Sequence, residues 1–89
     1  MHPVERPNLE SGDIVEVVDD AGTSELGVVR AVIDYSEDSD PSIWEVWVAT
    51  RSDSGMFDPD RVRRLPGAQV EDLADPDLRA ECTEARRRR

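Results

Sequence analysis

Residues 43–50 read Ile-Trp-Glu-Val-Trp-Val-Ala-Thr. β-Branched and aromatic side chains dominate this run, and acidic or turn-forming residues bound it on both sides, which marks a strand. Side chains alternate across a strand, so Trp44, Val46 and Val48 share one face, and Ile43, Glu45, Trp47 and Ala49 share the other. The two valines assign the first face to a core. Trp47 then points away from that core, and two readings of it follow. Either it contacts a partner, or a later segment folds over it as a satellite core.

Outward from this strand the chain repeats the same grammar. Residues 13–18, Asp-Ile-Val-Glu-Val-Val, form a first short strand, followed by a turn-rich loop over 19–24. Residues 25–35 form the longest β candidate. Gly27 inside it signals a bulge or a close backbone approach. The acidic, breaker-rich stretch 36–42 is a loop. A fourth strand falls at 55–57, and Asp58-Pro59-Asp60 has the cap and proline of a single helical turn. Residues 61–65, Arg-Val-Arg-Arg-Leu, alternate as a fifth strand, and Pro66-Gly67 ends the run.

Beyond it, Asp75-Pro76-Asp77 is a helix start, with Asp as cap and Pro in the first turn, while the arginines near the C-terminus suit the negative end of the helix dipole. Leu78, Cys82 and Ala85 fall at i, i+4 and i+7, a thin apolar stripe able to dock on a sheet. A shorter helical turn is expected over Ala68 to Leu73. The resulting organisation is a flexible arm over 1–11, a β domain over 12–66 and a helical, Arg-ended tail over 67–89. Five short strands at roughly ten-residue spacing predict a mainly β fold, a small five-stranded barrel with a C-terminal helix.

Several motifs carry a family likeness. Gly12-Asp13-Ile14-Val15-Glu16-Val17 resembles the first strand of small SH3-like barrels. Gly27-Val28-Val29-Arg30-Ala31-Val32 resembles their second strand, and Trp44-Glu45-Val46-Trp47-Val48 their third. Phe57 to Leu65 resembles the short strand, helical turn and closing strand that complete such a barrel. The superfamily, which includes KOW-type and Tudor-like members, binds peptides, nucleic acids or larger enzymes, so the resemblance implies a fold and a binding role without choosing the ligand. This chain departs from the basic surface of KOW-type members. Its four aromatics do not assemble the cage of methyl-lysine readers, and its 19–24 loop has no aromatic.

Charge narrows the choice. Twenty-one acids face eleven arginines, a net charge of −10, with no lysine, a usage that points to a GC-rich bacterial genome. Residues 1–60 hold fifteen acids and three arginines, and residues 61–89 hold six acids and eight arginines. An acidic body disfavours direct nucleic-acid binding and favours a partner with a basic surface. Candidate partner contacts are Tyr35 at the end of the second strand, the loop acids Glu37, Asp38 and Asp40, outward Trp47, and Met56 in the fourth strand. Asp19 and Asp20 add to the acidic loops. Arg86, Arg87, Arg88 and Arg89 are candidate contacts for an anionic partner.

Catalytic equipment is sparse. His2 is the single histidine and lies in the arm, Cys82 is the single cysteine, and the sequence contains no phosphate loop, CxxC or HExxH motif. The acidic loop lacks the glycine and distal glutamate of an EF-hand, so no metal and no cofactor are expected. A lone cysteine and the absence of an apolar leader or membrane-length run lead to an expected cytoplasmic home. The reading is a non-enzymatic protein-binding adaptor or accessory module; a structural, self-associating protein with Trp47 in a homodimer interface is a separate reading. The alternative is a nucleic-acid-linked protein, acting as an acidic DNA mimic or binding directly through the Arg tail.

Overall fold

The computed structural model describes residues 7–34, 44–52 and 54–88. Five strands, β1 (Ile14–Val18), β2 (Ser24–Asp34), β3 (Trp44–Thr50), β4 (Gly55–Phe57) and β5 (Val62–Arg64), form one antiparallel sheet in the order β4-β3-β2-β1-β5. A 3₁₀ turn at Pro59–Arg61 links β4 to β5. A second at Val70–Asp72 precedes the helix α1 (Pro76–Arg87). Among the described residues no ladder joins the β4 and β5 edges, so the sheet is open at that seam.

Local chemistry explains these elements. Asp19 makes the β1–β2 turn, its Oδ1 accepting the backbone N–H groups of Ala21 and Thr23, both at 2.9 Å. Gly22 supplies the left-handed backbone this turn needs, with φ +83°. Asp58 caps the first 3₁₀ turn through the Asp60 N–H, and Asp75 caps α1 through the Asp77 N–H, each cap being followed by a proline.

The sheet buries both faces over part of its area. On one face Val15, Val17, Val29, Val46, Val48 and Val62 form a valine core, with Val32 and Phe57 packed against it. Leu9 closes one side of this core, although the sequence places it in an arm. On the other face α1 lays Leu78 and Cys82 over Ile14, Val28 and Ala49, and Leu73 joins the cluster from the segment before the helix. Ala49 therefore lies inside a second core, on the face that alternation assigns to the outside.

A bulge sets the phase of β2. Val29 pairs with Val48, but the next pair is Ala31 with Trp47, so Arg30 is the extra residue. This skip returns Val32 to the valine core opposite Val46 and turns Ala31 and Ile33 to the other face. The bulged residue also ties the tail down. The guanidinium of Arg30 lies 3.2 Å from Glu81 of α1, and its carbonyl accepts the Ser11 hydroxyl at 2.9 Å.

The end of α1 is seated on Gly12, whose φ is +93°. A Cβ there would stand 2.4 Å from Arg86 Cγ and 3.2 Å from the Arg86 backbone nitrogen. The absence of a side chain lets the helix come in close. The Gly12 carbonyl then accepts the Arg86 Nε–H at 3.2 Å and the Cys82 thiol at 3.4 Å.

Candidate functional site

Trp47 and Met56, candidates from sequence, are brought together as a cross-strand pair between β3 and β4. Ala31 flanks Trp47 on β2, and the Ile33–Glu45 pair lies one step further along the same face. All five residues are half-buried. None of the four apolar ones is part of either core cluster or packed against one. The result is an apolar row, Ala31–Trp47–Met56 with Ile33 beside it, next to the area that α1 covers. Cross-strand aromatic and aliphatic neighbours of this kind support one another and present a continuous surface. Trp44, which alternation puts on the valine face, is half-buried, and its indole Nε1 is buried with no hydrogen-bond partner among the described residues.

Tyr35, Glu37, Asp38, Asp40 and Arg89 lie outside the described residues, as does His2. The remaining loop acids are held in the protein's own structure. Asp19 accepts turn N–H groups, and Asp20 is ion-paired with Arg61.

Several of the described arginines are similarly engaged. Arg63 lies 3.3 Å from Glu16, Arg64 3.7 Å from Asp13, and Arg88 3.4 Å from Glu84 one helical turn earlier. Arg79 donates to the Leu73 carbonyl and Arg86 to that of Gly12. Thus three of the described tail arginines, Arg79, Arg86 and Arg88, are engaged within the chain. Arg86 holds the end of α1 against Gly12, Arg79 ties the helix to Leu73 just before it, and Arg88 pairs within the helix.

A feature that sequence reading missed is a groove of about 470 Å³ between the sheet and the start of α1. Leu26, Leu73, Ala74, Pro76 and Leu78 give it an apolar lining, and Glu25, Arg51, Ser52 and Asp75 stand at its polar rim. Leu26 is on the same sheet face as Ile14 and Val28, opposite Glu16 in the β1–β2 ladder. The helix covers Val28 completely but leaves Leu26 36% exposed, the one large apolar side chain so placed among the described residues. The signal available in sequence was Leu26 itself, an apolar residue in phase with Val28 near a strand end, and the short apolar segment Leu73-Ala74 before the helix cap.

Glu25 stands between this groove and a smaller hollow of about 150 Å³ bordered by Val17, Thr50 and Phe57. Its carboxylate accepts the Ser52 hydroxyl at 2.5 Å and faces the Ser52 N–H at 3.5 Å. The Ser52 hydroxyl, and after it the Thr50 hydroxyl, hold the carboxyl below the ordinary glutamate range, against a smaller opposing effect of burial. A lowered folded-state value means that this contribution to stability is full above the unfolded-state value, about 4.3, and is lost as pH falls through the lower folded one. Glu25→Gln is therefore expected to unfold at lower urea than the wild-type chain at pH 7, with the two midpoints converging in acid. A midpoint difference that stays constant from pH 7 to pH 3 would remove this role for the ionised carboxylate.

Among the described residues no three His, Cys, Asp or Glu side chains converge on a metal-sized site, and no helix is long and apolar enough to cross a membrane. A scan against protein-family models finds no match to this chain, and searches of curated proteins and of solved structures find none either.

Proposed function

We propose that the chain is a non-enzymatic protein-binding module, an adaptor or accessory subunit on an SH3-like barrel, that contacts a basic partner through its Trp47–Met56 face. One observation carries this reading. A tryptophan, a methionine and their apolar neighbours line up across three strands, yet they contribute to neither core. A large aromatic in such a position is the residue type that anchors interfaces. The acidic body supplies long-range attraction to a basic partner and raises the encounter rate. Strand order β4-β3-β2-β1-β5, with a 3₁₀ turn between β4 and β5, supports the barrel comparison, because it returns the last strand to the first.

Trp47→Ala is expected to weaken capture of the native partner at least tenfold, the scale of an interface anchor, while Arg87→Ala leaves capture unchanged. Binding should also weaken as salt rises. Full retention by the Trp47 variant would sink the surface assignment. So would a loss of thermal stability as large as that of a core deletion, since that would make Trp47 a structural residue. The engagement of Arg79, Arg86 and Arg88 within the chain gives direct nucleic-acid binding through the tail less support. A DNA mimic remains the rival use of the acidic surface, and it predicts that the captured partner binds DNA and that DNA competes for it.

A further inference from the structure

The geometry points to a second contact site on this chain: the groove beside Leu26 receives one apolar side chain of a partner segment that carries basic residues on either side of it. This rests on reading the chain as a protein-binding module, but it uses a surface separate from the Trp47 row.

The groove exists because of where the helix starts. α1 begins at Pro76 behind its Asp75 cap, so its apolar stripe reaches Val28 and ends short of Leu26. Leu26 from the sheet and Pro76 and Leu78 from the helix thus line it together. An apolar lining of this size favours an aliphatic side chain over a charged one, since a charge placed against it would lose water without gaining a partner.

The rim chooses what flanks that side chain. Glu25 and Asp75 stand at the groove, and the segment over residues 71–77 carries Glu71, Asp72, Asp75 and Asp77 with no cation. Both rim carboxylates accept hydrogen bonds from their own structure and so hold their charge in fixed positions. Flanking arginine or lysine residues complement this rim, and acidic residues are repelled by it. Arg51 is the one opposing charge at the rim. Its removal therefore strengthens the attraction, which separates this proposal from one in which Arg51 binds an anion.

The test titrates the full chain, labelled with ¹⁵N, with the peptide acetyl-RRLRR-amide, alongside acetyl-RRSRR-amide and acetyl-EELEE-amide. The expected result is shifts concentrated at the amides of Leu26, Ser52, Ala74 and Leu78 with the first peptide. Leu26→Ser should weaken it roughly tenfold, the scale of losing one apolar contact. Arg51→Glu should tighten it several-fold, and Trp47→Ala should leave it unchanged. Leu26 is exposed and Arg51 is a loop residue, so both variants retain the fold, and the opposite signs guard against a merely unfolded sample. Equal binding of the serine peptide would reduce the effect to general charge attraction and overturn the proposal. Tighter binding of the acidic peptide would do the same in favour of an anion site. If no peptide binds and Leu26→Ser converts a dimer to a monomer in sedimentation, the groove belongs to a second copy. In each of those cases the Trp47 capture experiment still judges the primary reading independently.

Discussion

Leu73→Ala is expected to remove about 2–5 kcal/mol of folding free energy, a large share of the roughly 5–15 kcal/mol that a domain possesses. Leu73 is 1% exposed, the largest of the side chains that are fully enclosed. It lies between the second 3₁₀ turn and α1 and packs with Ile14, Val28, Ala49, Leu78 and Cys82. Its carbonyl also receives the Arg79 side chain, so the same residue fixes the start of the helix by its backbone and the second core by its side chain. α1 has twelve residues and is marginal without a surface to pack on. Deleting Leu73 therefore leaves a cavity and loosens the helix together. Thermal unfolding should fall by roughly 10–30 °C, at the several degrees per kcal/mol of a domain this size. Two probes separate the layers: far-ultraviolet circular dichroism follows the helix, and the fluorescence of Trp44 and Trp47 follows the sheet. The helix signal is expected to be lost first, since the valine core lies on the opposite face and is untouched by the substitution. Leu26→Ala is the control, because Leu26 is in the same sheet face but exposed. A Leu73 variant no weaker than that control would mean that the second core does not hold the tail.

The strands were legible because each β-branched run is closed by residues with a turn chemistry of their own: Asp19 to Thr23, Asp58-Pro59, Pro66-Gly67. The helix was legible from Asp75-Pro76, a cap and a first-turn proline together. The bulge at Arg30 was not. Val28, Val29, Ala31, Val32 and Ile33 place apolar residues on both parities, so a period of two fits the segment with or without a skipped residue. The second core was hidden for a related reason. Ala49 is small, Cys82 is a single residue in a sparse stripe, and only docking of α1 shows that both are enclosed. Leu9 follows two prolines and a polar run, and nothing local distinguishes a core residue there from an arm. The Trp47–Met56 pairing follows from the β3–β4 register, which the short loop between them made accessible from sequence. The groove beside Leu26 depends on where the helix begins relative to a strand about fifty residues earlier, which no local pattern encodes.

Gly27→Ala is expected to destabilise the chain by about 1–3 kcal/mol, the scale of an overpacked core. Here the constraint is space, since the φ of Gly27 is not positive. Gly27 is buried in β2 between Val15 of β1 and Thr50 of β3. A Cβ at this position would lie 2.6 Å from Val48 Cγ1, 2.9 Å from the Ala49 carbonyl oxygen and 3.1 Å from Thr50 Cγ2. Val48 is fully buried in the valine core and has a stiff, branched side chain, so it cannot swing aside. The carbonyl belongs to the strand backbone, so relieving that contact requires β2 and β3 to part. Their separation is set by the ladder on which both cores depend, since Val28 and Ala49 serve one face and Val29 and Val48 the other. Gly55→Ala supplies the comparison within the same sheet. Gly55 pairs with Val48 on β3's other side, and an added Cβ there meets nothing within 4 Å. That variant is expected to be neutral or stabilised by about 0.4–1 kcal/mol through a less flexible unfolded chain. Urea unfolding of both variants decides the matter. A Gly27 variant that unfolds at the same urea concentration as the Gly55 variant would show that β2 and β3 do not approach as closely as the two cores require.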